Sequence, residues 1–195
     1  MAEALSARAS HARDLFAPLG PTYDRYASLL SFGQDPRWRR FLVSRIQAGP
    51  DDLVLDVATG TGAVAAELLR AKGCGVIGVD QSAEMLAVAR QRLAWTGVQV
   101  VEASAEHLPF DDASFDALTF TYLLRYVDVG LPLAGRLIAP GWAQVGRFLG
   151  SSIREFYERW PLERLLAAWN DAGIREIRGR RLSFGGGVVI WGRRE

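Results

Sequence analysis

Leu53-Val54-Leu55-Asp56-Val57-Ala58-Thr59-Gly60-Thr61-Gly62 is the stretch on which the fold turns. Its first half is a short apolar run without polar alternation, the pattern of a strand buried on both faces. Its second half closes in glycines directly before a helical run from about Ala63 to Ala71, with Val64, Leu68 and Leu69 on one side. Outward from there, Gly75-Val76-Ile77-Gly78-Val79-Asp80 reads as a second strand and Ser82 to Leu93 as a second helix. Val98 to Val101 and Phe115 to Phe120 read as a third and a fourth strand. Strands and helices alternating through short links imply right-handed βαβ units. The expected fold is therefore α/β and Rossmann-like, a mostly parallel sheet flanked by helices.

The flanks are less sharply written. Before Gly49-Pro50-Asp51-Asp52 the chain reads as helices. Leu5, Ala9, Ala12 and Leu15 or Phe16 give a weak stripe, and Trp38, Phe41, Leu42 and Ile46 a better one after Pro36. Toward the other end, Ser151-Ser152 can cap a helix carrying Ile153, Phe156 and Tyr157. Pro161 starts another with Leu162, Leu165, Leu166 and Trp169, and Gly173 stops it. Ile174 to Ile177 and Val188 to Trp191 read as the last two strands. All of this fits one domain over residues 1–195, with a helical cap over 1–50.

Composition excludes several classes. Apolar residues make up 49% and charged residues 23% of the 195, and the formal charge is +1, as in an ordinary globular protein. No basic block with interleaved aromatics argues for nucleic acid. Cys74 is alone, which leaves no disulfide framework and no metal-ligand spacing. No apolar run reads as a signal peptide or a membrane span, so a cytoplasmic protein is expected.

The glycine turn lies where open α/β sheets bind ligands, outside the carboxyl ends of the strands. Glycines let a backbone approach a ligand, and the next helix offers unpaired N–H groups to a carboxylate or phosphate. Asp80 ends the second strand and can accept hydrogen bonds from both hydroxyls of a ribose. The signal is ambiguous alone, because Gly60-Thr61-Gly62-Ala63-Val64-Ala65 also satisfies the dinucleotide fingerprint GxGxxA. Two observations favour a nucleoside bearing an amino acid. Asp56 stands four residues ahead of Gly60, where a carboxylate suits an ammonium and repels pyrophosphate. Ser104-Ala105-Glu106-His107-Leu108-Pro109-Phe110 can supply polar groups to an adenine edge. A glycine turn that merely packs helix on strand is the bland alternative.

The strings DVATGTG, GVDQSAEML and SAEHLPFDDASFD resemble class I S-adenosylmethionine-dependent methyltransferases. Leu15-Phe16, Pro21-Thr22-Tyr23-Asp24, Leu30-Ser31-Phe32-Gly33-Gln34-Asp35 and Trp38-Arg39-Arg40 look like the opening of the ubiquinone/menaquinone-biosynthesis C-methyltransferases. Thr121-Tyr122-Leu123-Leu124-Arg125-Tyr126 and Leu182 to Val189 are similar to later segments of the same family. The resemblance implies a cofactor-binding half over residues 51–128 and substrate-lid helices with the last strands over 129–195. It implies S-adenosyl-L-methionine as cofactor, S-adenosylhomocysteine as product, and a small hydrophobic acceptor such as a prenylated quinol. Contact with a membrane would be peripheral at most. The implied cofactor contacts are Tyr23, Asp56, Thr59, Gly60, Thr61, Gly62, Asp80, Gln81, Met85, Ser104, Ala105, Glu106 and Thr121. Tyr23 would close over the site, its ring available to a sulfonium.

Arg125, after strand four, is the candidate catalytic residue, as stabiliser of a quinol phenolate; a surface-paired arginine is the competing reading. His107 reads better as an exposed side chain than as a base. Trp142, Phe148, Ile153, Phe156, Tyr157 and Trp160 read as core with some part in walling a pocket.

Three departures stand out. Ser104 replaces the family's acid or amide, and Tyr126 its asparagine. Between Asp128 and Val129 the family carries a helix, a Pro-Gly-Gly turn and the fifth strand, about forty residues that make up one crossover unit. Either that unit is missing, leaving a break near Asp128–Val129, or Leu131–Ile138 serves as helix and Trp142–Phe148 as replacement strand. The first reading is preferred. Two further functions stay open, a non-catalytic cofactor-binding protein and, less favoured, a nicotinamide oxidoreductase.

Overall fold

The computed structural model describes residue 14, residues 17–121, residue 158, residues 161–183 and residues 187–194. The chain divides into two compact units, Met1–Tyr122 and Leu123–Glu195.

The first unit is built on four parallel strands, β1 (Leu53–Val57), β2 (Gly75–Asp80), β3 (Gln99–Glu102) and β4 (Ala117–Phe120), in the order β3-β2-β1-β4. The chain moves outward from β1 to β3 and then returns to the far side of β1. The order therefore reverses between β1 and β4, and the carboxyl edge at such a reversal is where this architecture opens a crevice.

Helices α1 (Tyr23–Leu30) and α2 (Asp35–Arg45) precede the sheet; α3 (Ala63–Lys72) and α4 (Ala83–Arg92) link β1 to β2 and β2 to β3. Each has local reasons to start or stop. Pro36 occupies the first turn of α2, where its missing N–H costs nothing. Ser82 caps α4, its Oγ accepting the N–H of Met85 at 3.3 Å. Gly73, at φ +68°, ends α3 in the left-handed conformation that a side chain would oppose.

One face of the sheet holds Val54 and Val76 against Val43 of α2, Val64, Ala65 and Leu68 of α3 and Ala89 of α4, with Leu93 just beyond. Leu68 and Leu86 are fully buried, each stabilising the fold by about 2 kcal/mol relative to exposure. On the opposite face Leu55, Val57 and Val79 pack with Ile77, Val101, Phe110 and Phe115. Phe110 and Phe115 meet edge to face at 5.0 Å, closing the loop that leaves β3.

In the second unit α5 (Leu162–Asp171) follows Pro161 and is succeeded by Gly173 at φ +80°. Strands β5 (Ile174–Leu182) and β6 (Gly187–Arg194) pair antiparallel, with a register shift between Arg175 and Arg178 where Glu176 adopts φ +50°. Both strands run longer than the apolar stretches Ile174–Ile177 and Val188–Trp191, because arginines on the exposed hairpin continue the ladder.

Strands one and two fall on the residues the sequence assigns; β3 lies one residue later than Val98–Val101, and β4 begins at Ala117 rather than Phe115. The Leu5–Phe16 stripe, the helix after Ser151-Ser152, the Asp128–Val129 junction and the replacement strand over Trp142–Phe148 lie outside the described residues.

Candidate functional site

Because β1 to β4 are parallel, the loops after them share one edge: Ala58–Gly62, Gln81, Ala103–Glu106 and Thr121. The first loop is shaped by three left-handed residues, Ala58 (φ +55°), Gly60 (+56°) and Gly62 (+75°). The two glycines do different work. A Cβ on Gly60 would meet nothing within 4 Å, so its bare backbone faces open space. A Cβ on Gly62 would stand 2.9 Å from Leu93 Cδ1 and 3.1 Å from Ala89 Cβ, so Gly62 lets α3 pack on α4.

Asp80 ties this loop to the next. Its Oδ2 accepts the N–H of Gly60 at 2.8 Å and its Oδ1 the N–H of Ser82 at 2.9 Å. Burial nonetheless holds its carboxyl above the usual carboxylate range, against the pull of those backbone donors. The backbone of Gln81 also bears on it, and the two oxygens together have acceptor capacity beyond these three N–H donors. With Gly60 bare beside it, Asp80 fits a vicinal diol laid along the loop.

The buried side of the loop belongs to Asp56. It is fully buried, its Oδ2 accepting the hydroxyl of Thr59 at 2.6 Å and its Oδ1 that of Thr119 at 2.6 Å. Removal from water pushes its carboxyl up to about 6, partly offset by the two threonine hydroxyls and the backbone of Ala65. A carboxylate so enclosed anchors the loop from beneath through Thr59. Thr59 is likewise buried, and its N–H donates to Val79 O at 2.9 Å. Gly78 makes room for it, since a Cβ there would lie 2.9 Å from Thr59 Oγ1.

Thr61 is buried too, its hydroxyl donating to Asp24 Oδ1 at 2.8 Å and accepting from Arg92 Nη1 at 3.0 Å. Tyr23 opens α1 beside Asp24 and is half-buried. Met85 is buried in α4, and Gln81 is half-buried between β2 and α4. In the loop after β3, Ser104 Oγ accepts the N–H of Glu106 at 3.2 Å, and Ser104 O that of His107 at 3.0 Å. Ala105, Glu106 and His107 are exposed, Ser104 half-buried. Thr121 follows β4, also half-buried. Arg125 and the aromatic stretch from Trp142 to Trp160 lie outside the described residues.

Sequence reasoning missed Thr119, Gly78 and Arg92. Gly78, a glycine inside an apolar strand, signals a close approach. Thr119 becomes Asp56's partner only through strand register, which pairs the two positions across β1 and β4.

Residues 4–130 match the model of the ubiE/COQ5 methyltransferase family. The chain belongs to that family. It is 35% identical over 146 residues to the ubiquinone/menaquinone biosynthesis C-methyltransferase UbiE of Geotalea daltonii, covering 70% of this chain and 62% of that protein. The match thus spans about three-fifths of that relative's length. The protein of the same name from Desulfotalea psychrophila is 30% identical, with 91% of this chain and 88% of that one covered. A solved geranyl diphosphate methyltransferase in complex with SAM shares the fold, at TM-score 0.51 and 17% identity over 73% of this chain and 67% of that one.

The Desulfotalea alignment runs over 220 positions but draws on 91% of this 195-residue chain, about 177 residues, so about 43 positions of the relative face no residue here. The family match ends at residue 130.

Proposed function

We propose that this protein is an S-adenosylmethionine-dependent methyltransferase acting on a small hydrophobic acceptor, and that the acceptor is a ring carbon of a quinol. The observation that carries the cofactor half is Asp80, held by the N–H groups of Gly60 and Ser82 beside a glycine whose Cβ position is open. The acceptor half rests on the relatives, which are named for C-methylation in ubiquinone and menaquinone biosynthesis.

In this reading Asp80 takes the ribose hydroxyls. Gly60 and Thr61 offer backbone to the amino-acid end, and Gln81 borders the sugar. Ser104, Ala105 and Glu106 frame the adenine, Thr121 flanks the crevice at the strand-order reversal, and Tyr23 covers it. Asp56, Thr59, Gly62 and Met85 act from below, by giving the loop and α4 their shape. S-adenosylmethionine, when bound, supplies an electrophilic methyl on a cationic sulfur whose leaving group departs neutral. The protein's own task is then alignment of the acceptor and exclusion of water. A quinol carbon gains nucleophilicity once a neighbouring hydroxyl loses its proton, and Arg125 is proposed to stabilise that phenolate.

Incubation with methyl-labelled S-adenosylmethionine and a menaquinol precursor lacking the ring methyl tests the reading. Label should appear on carbon of the quinol. Tight cofactor binding with no transfer to any quinol or phenol would favour the second reading, a cofactor-binding protein without activity.

A further inference from the structure

Three segments far apart in sequence meet at one point beside the glycine loop. The 3-10 helix Ala17–Thr22 lies on α4, where a Cβ on Gly20 would stand 3.2 Å from Glu84 O and 3.5 Å from Val88 Cγ2. Leu19 is buried in the same stretch. Further along α4, Arg92 reaches back across the loop. Its Nη1 donates to Thr61 O at 2.9 Å and to Thr61 Oγ1 at 3.0 Å, and its Nη2 pairs with Asp24 Oδ2. The Thr61 hydroxyl donates to the other oxygen of Asp24 at 2.8 Å. Asp24 is the neighbour of Tyr23, and Thr61 lies between the left-handed Gly60 and Gly62.

We propose that Arg92, with Asp24, is a positioning pair: it clasps the first helix onto the glycine loop through Thr61, setting the loop's backbone and bringing Tyr23 to the crevice, so that cofactor affinity depends on two side chains away from the cofactor itself. The loop needs such support. Three of its five residues hold positive φ; Gly60 and Gly62 adopt such values freely, but Ala58, at φ +55°, does so at a cost and persists there only because its surroundings over-determine it. One carboxylate, one guanidinium and one hydroxyl fasten helix, loop and α4 together. Removing either charge breaks the ion pair that joins α1 to α4, and removing the guanidinium also takes a donor from Thr61. The side chains of Arg92 and Asp24 are 30% and 37% exposed, so solvent screens the pair and its loss is a matter of a few-fold rather than of collapse.

This inference rests on the nucleoside reading of the crevice, so its test carries one readout that needs no ligand. Hydrogen exchange of residues 23–30 in the free protein would be compared for wild type, Arg92→Met, Asp24→Asn and the exchanged pair Asp24→Arg with Arg92→Asp. Affinity for S-adenosylhomocysteine would be measured on the same four. Both single variants should exchange faster over 23–30 and bind about three- to tenfold more weakly. The exchanged pair should recover part of both, because the ion pair re-forms and a threonine hydroxyl can donate or accept, while the bond to Thr61 O is lost with the guanidinium at 92. Unchanged exchange in both single variants would overturn the clasp. Weaker binding that the exchanged pair fails to recover would also overturn it, and would mean that Arg92 meets the ligand directly. If exchange quickens but wild type binds no nucleoside, the clasp stands as packing alone, and the positioning role falls with the proposed function.

Discussion

Gly78 of β2 and Thr59 of the loop after β1 are locked together: a Cβ at residue 78 would stand 2.9 Å from Oγ1, 3.0 Å from Cγ2 and 3.1 Å from Cβ of the threonine. Thr59 has nowhere to retreat, because its hydroxyl is bonded to Asp56 and its N–H to Val79 O. Gly78→Ala should therefore destabilise the protein by about 1–3 kcal/mol, the usual range for overpacking. Thr59→Ser in the same chain removes the Cγ2 clash and should recover part of the loss. Chemical denaturation midpoints of the single and double variants check this.

The two loop glycines should separate binding from stability. Gly60→Ala places a methyl in open space at φ +56°, so it should lower stability by about 1 kcal/mol and weaken the nucleoside more than it weakens the fold. Gly62→Ala drives a methyl into Leu93 and Ala89 at φ +75° and should lower the melting temperature by several degrees more than Gly60→Ala does. Thermal melts and ligand titrations of both variants give the comparison. Equal melting temperatures would contradict it.

Asp56 makes stability depend on pH in a stated direction. Its folded value, about 6, lies above the ordinary one, so its protonated form is favoured by folding. The contribution is fully present below about pH 4 and is lost as pH rises through 6, amounting to about 3 kcal/mol at most. Asp80 is displaced the same way, by burial, and adds to the trend. Asp56→Asn keeps an oxygen and a donor for Thr59 and Thr119 without a charge to bury. Denaturation at pH 5 and pH 8 should show a smaller difference for Asp56→Asn than for wild type. The same difference in both proteins would remove Asp56 from the account.

Much of this architecture is legible in the sequence where burial on both faces leaves no ambiguity. Leu53–Val57 and Gly75–Asp80 are continuous apolar runs, and the structure makes strands of them over the same residues. The hairpin β5–β6 is less so, because Arg178, Arg180 and Arg181 interrupt the apolar pattern on an exposed ladder. At the site, a glycine-rich turn followed by an acidic strand end is a local signal, and the structure sets Asp80 against Gly60 of that turn. The surroundings of Asp56 carry no local signal. Its partner Thr119 lies 63 residues away and arrives only when β4 pairs with β1. Arg92 and Asp24 are 68 residues apart and share no periodicity, so nothing short of the fold brings them together.

The central claim is that the crevice beside Gly60 and Asp80 receives S-adenosylmethionine. Calorimetric titration of wild type and Asp80→Ala with S-adenosylhomocysteine, and of wild type with NADH, tests it most directly. The account expects wild type to bind the nucleoside and not the dinucleotide. Asp80→Ala should lose about 1.5–3 kcal/mol, roughly tenfold to a hundredfold in affinity. Binding of NADH alone, or an affinity for S-adenosylhomocysteine that Asp80→Ala leaves unchanged, would contradict it.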